Sequence, residues 1–197
     1  MYKMAVDDTK RKIVEVASKL FGRYGFYKTS MDEIAKIARK AKGSLYYHFG
    51  SKEDLFTEVV ASEIENLKSQ LSVIVNDNNL QADEKIKRYL IKRMDVLYSA
   101  ANYHETLKAD FFEHFDFIDN LRANLDEWEK EQIKNIIIQG NTEGIFEKQD
   151  VNLEIILDVF IMVLRGLEIP FLLQGKYEAY APYFDDLIKI LTKGLSK

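Results

Sequence analysis

Apolar residues recur at intervals of three and four along most of the 197-residue chain, and alternation of period two is scarce. The pattern predicts an all-α protein. Ile13, Val16, Ala17, Leu20 and Phe21 form the stripe of a first helix over about residues 9–24. Asp7, Asp8 or Thr9 can cap its start, and Gly25 stops it by being free to turn left-handed. A second helix begins after Thr29 or Ser30. Glu33 stands three residues beyond Ser30, the spacing of a capping box, and Ile34, Ala35 and Ala38 face inward. A third helix spans Lys42 to Phe49, with Leu45 and Phe49 on one face. Ser51 caps a fourth that runs to about Val75; at about 1.5 Å per residue it spans nearly 40 Å. Asn76-Asp77-Asn78-Asn79 is a loop. Further helices are predicted over 83–101, 105–118, 120–139, 152–173 and 180–195.

Composition narrows the class. Cysteine is absent, so there is no disulfide framework and no thiolate metal site. No apolar run approaches the roughly 18 residues of a membrane span. Met1 to Lys12 is polar and lacks the apolar core of a signal peptide. The expectation is a soluble cytoplasmic protein with no membrane partner. The formal net charge of −4 hides an asymmetry: residues 1–52 hold 12 Lys+Arg against 5 Asp+Glu, and the excess is reversed beyond them. A basic front joined to an acidic body suggests a polyanionic partner for the front alone.

The chemistry concentrates in Thr29 to Leu55. Two short helices joined by a tight turn make a helix-turn-helix, whose second helix enters a DNA major groove. That helix presents Lys42, Gly43, Ser44, Tyr46, Tyr47 and His48. Gly43 and Ser44 are short where backbone and groove come close. Lys42, Tyr46, Tyr47 and His48 can donate to phosphate oxygens, as can Thr29, Ser30 and Lys52. Lys40 lies in the turn as a further cation. Lys42 or Ser44 can also read a base edge.

The segment resembles the TetR family of bacterial transcriptional regulators. The resemblance rests on Ala17-x-x-Leu20-Phe21-x-x-x-Gly25, on Thr29-Ser30-Met31-Asp32-Glu33-Ile34-Ala35, on Lys42-Gly43-Ser44-Leu45-Tyr46-Tyr47-His48-Phe49 and on Ser51-Lys52-Glu53-Asp54-Leu55. It covers about residues 10–60; beyond them only the layout is similar. The family turn commonly reads Gly-Val-Ser, and here it is Arg39-Lys40-Ala41. That places a side chain where a positive φ is often needed and removes the usual N-cap of the third helix.

The resemblance implies a three-helix DNA-binding domain over 1–52. It also implies a larger helical effector-binding and dimerisation domain over 53–197. The implied activity is that of a homodimeric repressor, released from a palindromic double-stranded DNA operator by a small-molecule effector. No cofactor and no enzymatic activity are implied. Residues 153–173 are apolar nearly all round and are expected to be buried on most sides. With the last helix they make a twofold interface through Phe160, Leu164, Phe171, Phe184, Leu187, Ile188 and Leu191. Tyr98, Tyr103, Phe111, Phe112, Phe115 and Trp128 are candidates to line a pocket for an apolar or aromatic effector.

Two other functions fit the residues. Asp110 and His114, at i and i+4, can place two metal ligands on one helix face, the start of a metal-dependent enzyme site. The helix-turn-helix can also be the scaffold of a protein-binding adaptor. No phosphate-binding glycine loop, nucleophile elbow or zinc-protease motif occurs.

Overall fold

Gly25 ends the first helix at φ 83°, with its N–H donating to the Phe21 carbonyl at 2.8 Å. The turn it makes sends the chain back across the face of that helix. In the computed structural model, which describes residues 2–108, 116–147 and 152–193, every extended run of apolar periodicity is helical. Among the described residues there is no strand. The helices are α1 Tyr2–Tyr24, α2 Met31–Ala38, α3 Lys42–His48, α4 Lys52–Val75, α5 Ala82–Ser99 and α6 Ala101–Glu105. They continue as α7 Asp116–Glu143, α8 Leu153–Glu168, α9 Tyr177–Tyr180 and α10 Phe184–Lys193. The chain divides into two compact units, Met1–Glu65 with Ala100–Ile118, and Asn66–Ser99 with Asp119–Lys197.

In the first unit, Ile13, Ala17, Phe21, Ile34, Ala35, Leu45, Leu55 and Phe56 are buried together. Their spacing puts one apolar face of each short helix inward, which holds helices too short to be stable alone. Phe21, Phe26 and Phe56 interlock edge to face and stacked, at centroid distances of 5.0–5.9 Å. α1 begins at Tyr2, so Asp7, Asp8 and Thr9 lie within the helix and do not cap it, but the other two predicted caps form. Ser30 Oγ accepts from the Glu33 N–H at 3.2 Å, and Ser51 Oγ from the Asp54 N–H at 3.0 Å.

After α5 a short helix, α6, runs from Ala101 to Glu105 and passes into a turn; most of the helix expected over 105–118 lies outside the described residues. The start of α6 is fixed from outside its own sequence. Glu63 of α4 accepts from the backbone N–H groups of Asn102 (3.3 Å) and Tyr103 (2.7 Å), and from the Asn102 side chain at 2.6 Å. The same Asn102 amide donates to Ser18 of α1 at 3.1 Å. This tertiary cap has no local sequence signature.

In the second unit, Tyr89, Leu90, Met94 and Leu97 of α5 join Leu125, Ile133 and Ile136 of α7, Leu157, Ile161 and Leu164 of α8 and Phe184 and Ile188 of α10 in the core. Ionic groups are buried among them. Arg93, 1% exposed, donates through Nε to Glu129 at 2.8 and 3.0 Å and through one terminal nitrogen to Glu168 at 2.8 Å. Tyr89 donates to Glu129 at 3.1 Å, and Arg122 reaches Glu168 at 3.5 Å. Burial, reinforced by Glu129, pushes the Tyr89 hydroxyl well above its ordinary pKa. α8 runs into a π-helical turn, Ile169–Leu173, in which Gln174 N–H donates to the Ile169 carbonyl at 3.2 Å. Pro170, lacking an N–H, cannot continue the α ladder there. Pro182 stands likewise in a 3₁₀ turn, Ala181–Tyr183, so the helix expected over 180–195 begins only at Phe184, as α10.

Candidate nucleic-acid interface

The turn between α2 and α3 keeps the left-handed conformation without a glycine. Arg39 has φ 55° and ψ 44°, the one positive φ outside glycine among the described residues, and it caps α2 through its N–H. An L-residue there costs about 1–2 kcal/mol. Ala41 occupies the N-cap of α3 and gives no side-chain cap bond, as the loss of serine predicts. Both departures from the family turn therefore have a visible consequence: one strained residue and one uncapped helix start.

α3 is anchored by Leu45, which is fully buried, and by Phe49 just beyond its end. Its other side faces solvent. Lys42, Gly43, Tyr46 and Tyr47 are exposed, with Tyr47 at 73%, while Ser44 and His48 are half-buried. A side chain at Gly43 would meet no atom within 4 Å among the described residues, and its φ is not positive. The fold thus gives no reason for glycine, which costs a helix about 0.5–1 kcal/mol relative to alanine. Lys42 Nζ lies 2.7 Å from Asp32 Oδ1 and 5.9 Å from the centre of the Tyr46 ring. The hydrogen bond to Asp32, then its charge, raises the Lys42 pKa.

The flanking candidates behave differently. Ser30 is exposed at the start of α2, where it serves as the cap. Lys40 is half-buried and donates to Thr9 Oγ1 at 3.1 Å. Lys52 donates to the Phe26 carbonyl at 3.1 Å, and its ammonium lies 4.3 Å from the centre of the Phe26 ring. It ties the start of α4 to the turn after α1. Thr29 is a correction. It is 1% exposed, and its hydroxyl donates to the Gly25 carbonyl at 2.9 Å. The phosphate role expected for Thr29 is withdrawn, because a buried hydroxyl already bonded to the backbone is no surface donor. The turn Arg39-Lys40-Ala41 puts two cations, Arg39 and Lys40, beside the expected DNA face; the αL position of Arg39 is a property of the turn, signalled by the family's usual glycine.

Residues 13–59 match the family model described as bacterial regulatory proteins, tetR family. That segment is similar to the TetR family. The helix-turn-helix-type transcriptional regulator QacR of Staphylococcus aureus (strain Mu50) is 46% identical over 54 residues, 27% of this chain and 29% of QacR. Sequence matches of this kind span about a third of the length of the curated relatives, 26–33%. At the level of fold the likeness extends through the chain. A transcriptional regulator from Cytophaga hutchinsonii has a TM-score of 0.74 at 24% identity, covering 94% of this chain and 97% of that one. The transcriptional regulator FadR from Bacillus subtilis, solved with stearoyl-CoA, has a TM-score of 0.74 at 14% identity, covering 93% and 98%. A helix-turn-helix module followed by a helical domain is thus the fold of this chain.

Outside the TetR module the expected sites fare less evenly. Tyr98 stacks on Tyr177 at 4.5 Å and donates to Glu178 at 2.8 Å. Trp128 lies beneath the ammonium of Lys68, 5.8 Å from its ring centre. Tyr103 is buried within the first unit. These three have separate partners; Phe111, Phe112 and Phe115 lie outside the described residues, as do Asp110 and His114. Of the expected interface residues, Leu164, Phe184 and Ile188 are buried in their own unit's core, Phe160 and Phe171 are half-buried and Leu187 is exposed. The side chain of Leu191 lies outside the described residues. Exposed instead are Ile155, Ile156, Val159, Met162 and Val163 of α8, with Ile190 of α10. On 153–173 the side of Leu157, Ile161 and Leu164 meets the core of its own unit, and the side of Ile155, Val159 and Met162 is open in the single chain; periodicity cannot say which side of an all-apolar helix meets its own core. Among the described residues, no cluster of three or more His, Cys, Asp or Glu is placed to hold a metal, and no helix is long and apolar enough to cross a membrane.

Proposed function

We propose that the chain is a sequence-specific DNA-binding transcriptional regulator, a homodimeric repressor released from a palindromic operator by a small-molecule effector. The observation that carries the reading is α3: a helix held by Leu45 and Phe49, with its solvent side made of Lys42, Gly43, Tyr46 and Tyr47. Gly43 has open space around it that the fold does not require, which suits the close approach of a groove wall. Phosphate contacts from Ser30, Tyr46, Tyr47 and His48 hold the register, and Lys42 and Ser44 reach base edges. Lys40 and Lys52 act chiefly by fixing the helix-turn-helix against α1 and its following turn.

The dimer reading is supported by the apolar face of α8. Ile155, Ile156, Val159, Met162 and Val163 form a contiguous stripe, and contiguous exposed apolar patches mark association sites. A second copy offers the same stripe about a twofold axis. Two recognition helices about 34 Å apart then meet one face of a duplex. The effector reading is supported by FadR, a structural neighbour solved with stearoyl-CoA. An effector shifts the balance only by its difference in affinity between the DNA-bound and DNA-free forms.

The test is selection of bound fragments from genomic DNA by purified protein, followed by sequencing. Enrichment of fragments sharing an inverted repeat is expected. Failure to retain any fragment at low salt contradicts the reading.

A further inference from the structure

Cations crowd the helix-turn-helix, and most of them are already engaged. Lys10 pairs with Glu58 at 2.7 Å, Lys40 donates to Thr9, Lys42 pairs with Asp32 and Lys52 donates to the Phe26 carbonyl. Arg39 is different. Its side chain is exposed and takes part in no hydrogen bond, ion pair or ring contact among the described residues. It also sits at φ 55°, a backbone conformation in which glycine or asparagine is cheaper than arginine. The cap it makes on α2 uses only its backbone N–H, and the favourable placement of a cation at the end of α2 is already supplied by Lys36. The fold therefore uses nothing of this side chain, yet holds it in a strained turn. Strain at a single residue that the fold does not need points toward a role in binding.

The position says what it binds. In a helix-turn-helix the first helix crosses the DNA backbone and the second enters the major groove. A side chain on the turn joining α2 to α3 stands at the rim of that groove, where phosphates lie. Arginine keeps its charge at any working pH, and its planar fork fits phosphate oxygens. We infer that Arg39 is a phosphate-binding residue of this chain, clamping the sugar-phosphate backbone beside the groove that α3 enters. The inference rests on the DNA-binding reading above.

Arg39→Gly separates this role from a structural one, because the two predict opposite signs. Relief of the strained turn raises the melting temperature by about 2–4 °C, the shift expected from freeing one strained residue in a domain of this size. At the same time, removing one phosphate-bound cation from each protomer of the dimer lowers the slope of log K against log salt by about 1.8, an affinity drop of about sixtyfold at 0.1 M salt. The drop is the same on every duplex. Arg39→Asn, which tolerates the left-handed turn without adding flexibility, shows the same reduced slope; Arg39→Lys keeps the parent slope. An Arg39→Gly variant that is more stable and binds with unchanged slope overturns the inference, as does a drop confined to one operator. Wild-type protein that retains no duplex at low salt overturns the DNA-binding reading itself, and this inference with it.

Discussion

The ammonium of Lys42 and the carboxylate of Asp32 meet at 2.7 Å, so the first cation of α3 is held by the helix before it. Both side chains are more than half exposed, and water screens the pair. Its effect is on binding: a phosphate or base edge must take Lys42 from Asp32. Asp32→Asn is expected to raise affinity for all duplexes several-fold at low salt and to leave thermal stability nearly unchanged, measured by fluorescence anisotropy beside thermal melting. The raised Lys42 pKa means that whatever the pair contributes to folding is present below the ordinary lysine pKa and lost only as pH rises through the raised one. Near neutral pH the stability of the variant and the parent should therefore run parallel; divergence there would mean that Asp32 has another partner.

Gly43→Ala adds a methyl group into space that the fold leaves open. Helix propensity alone predicts a gain of about 0.5–1 kcal/mol in stability. The same methyl group intrudes on a groove wall, so DNA affinity should fall at least tenfold. Equal affinity in the two proteins would show that nothing approaches this face of α3.

Met162, 66% exposed on α8, belongs to the apolar stripe. Met162→Glu places a charge in the proposed twofold contact. Sedimentation should show dimer for the parent and monomer for the variant, with circular dichroism unchanged. Leu164→Glu, by contrast, should unfold the second unit, since Leu164 is a core residue. A parent that sediments as a monomer at micromolar concentration removes the proposed interface.

Arg93 is shared by Glu129 and Glu168 in a setting with almost no water. Removing one partner strands a buried charge, and Arg93→Met should cost about 3–5 kcal/mol in urea denaturation. Replacing Arg93, Arg122, Glu129 and Glu168 together by apolar residues of similar volume should recover most of that loss, since Arg122 also pairs with Glu168. If the quadruple variant is no better than the single one, the network's value lies in its geometry and not in its charge balance.

Much of this was legible in the sequence because it depends on local rules. The α1 stripe, the Ser30 and Ser51 caps and the Gly25 stop are set by neighbours within four residues, and the structure places them as expected. What was not legible depends on distant groups. Thr29 has the sequence context of a surface donor, and only the return of the chain over Gly25 buries it. Glu63 caps α6 from 39 residues away. α8 is apolar on both sides, so only the packing of Leu157, Ile161 and Leu164 reveals that the Ile155 and Met162 side faces out. Arg93, Glu129 and Glu168 read as ordinary surface charges on amphipathic helices until three helices bring them together.

The central claim is that α3 enters a major groove in pairs. Hydroxyl-radical footprinting of a selected fragment tests it directly. Two protected patches about one helical turn apart on one face of the duplex are expected, arranged as an inverted repeat and lost together when Lys42 and Tyr47 are both replaced by alanine. Protection that survives that double replacement, or a single patch without symmetry, would contradict the account.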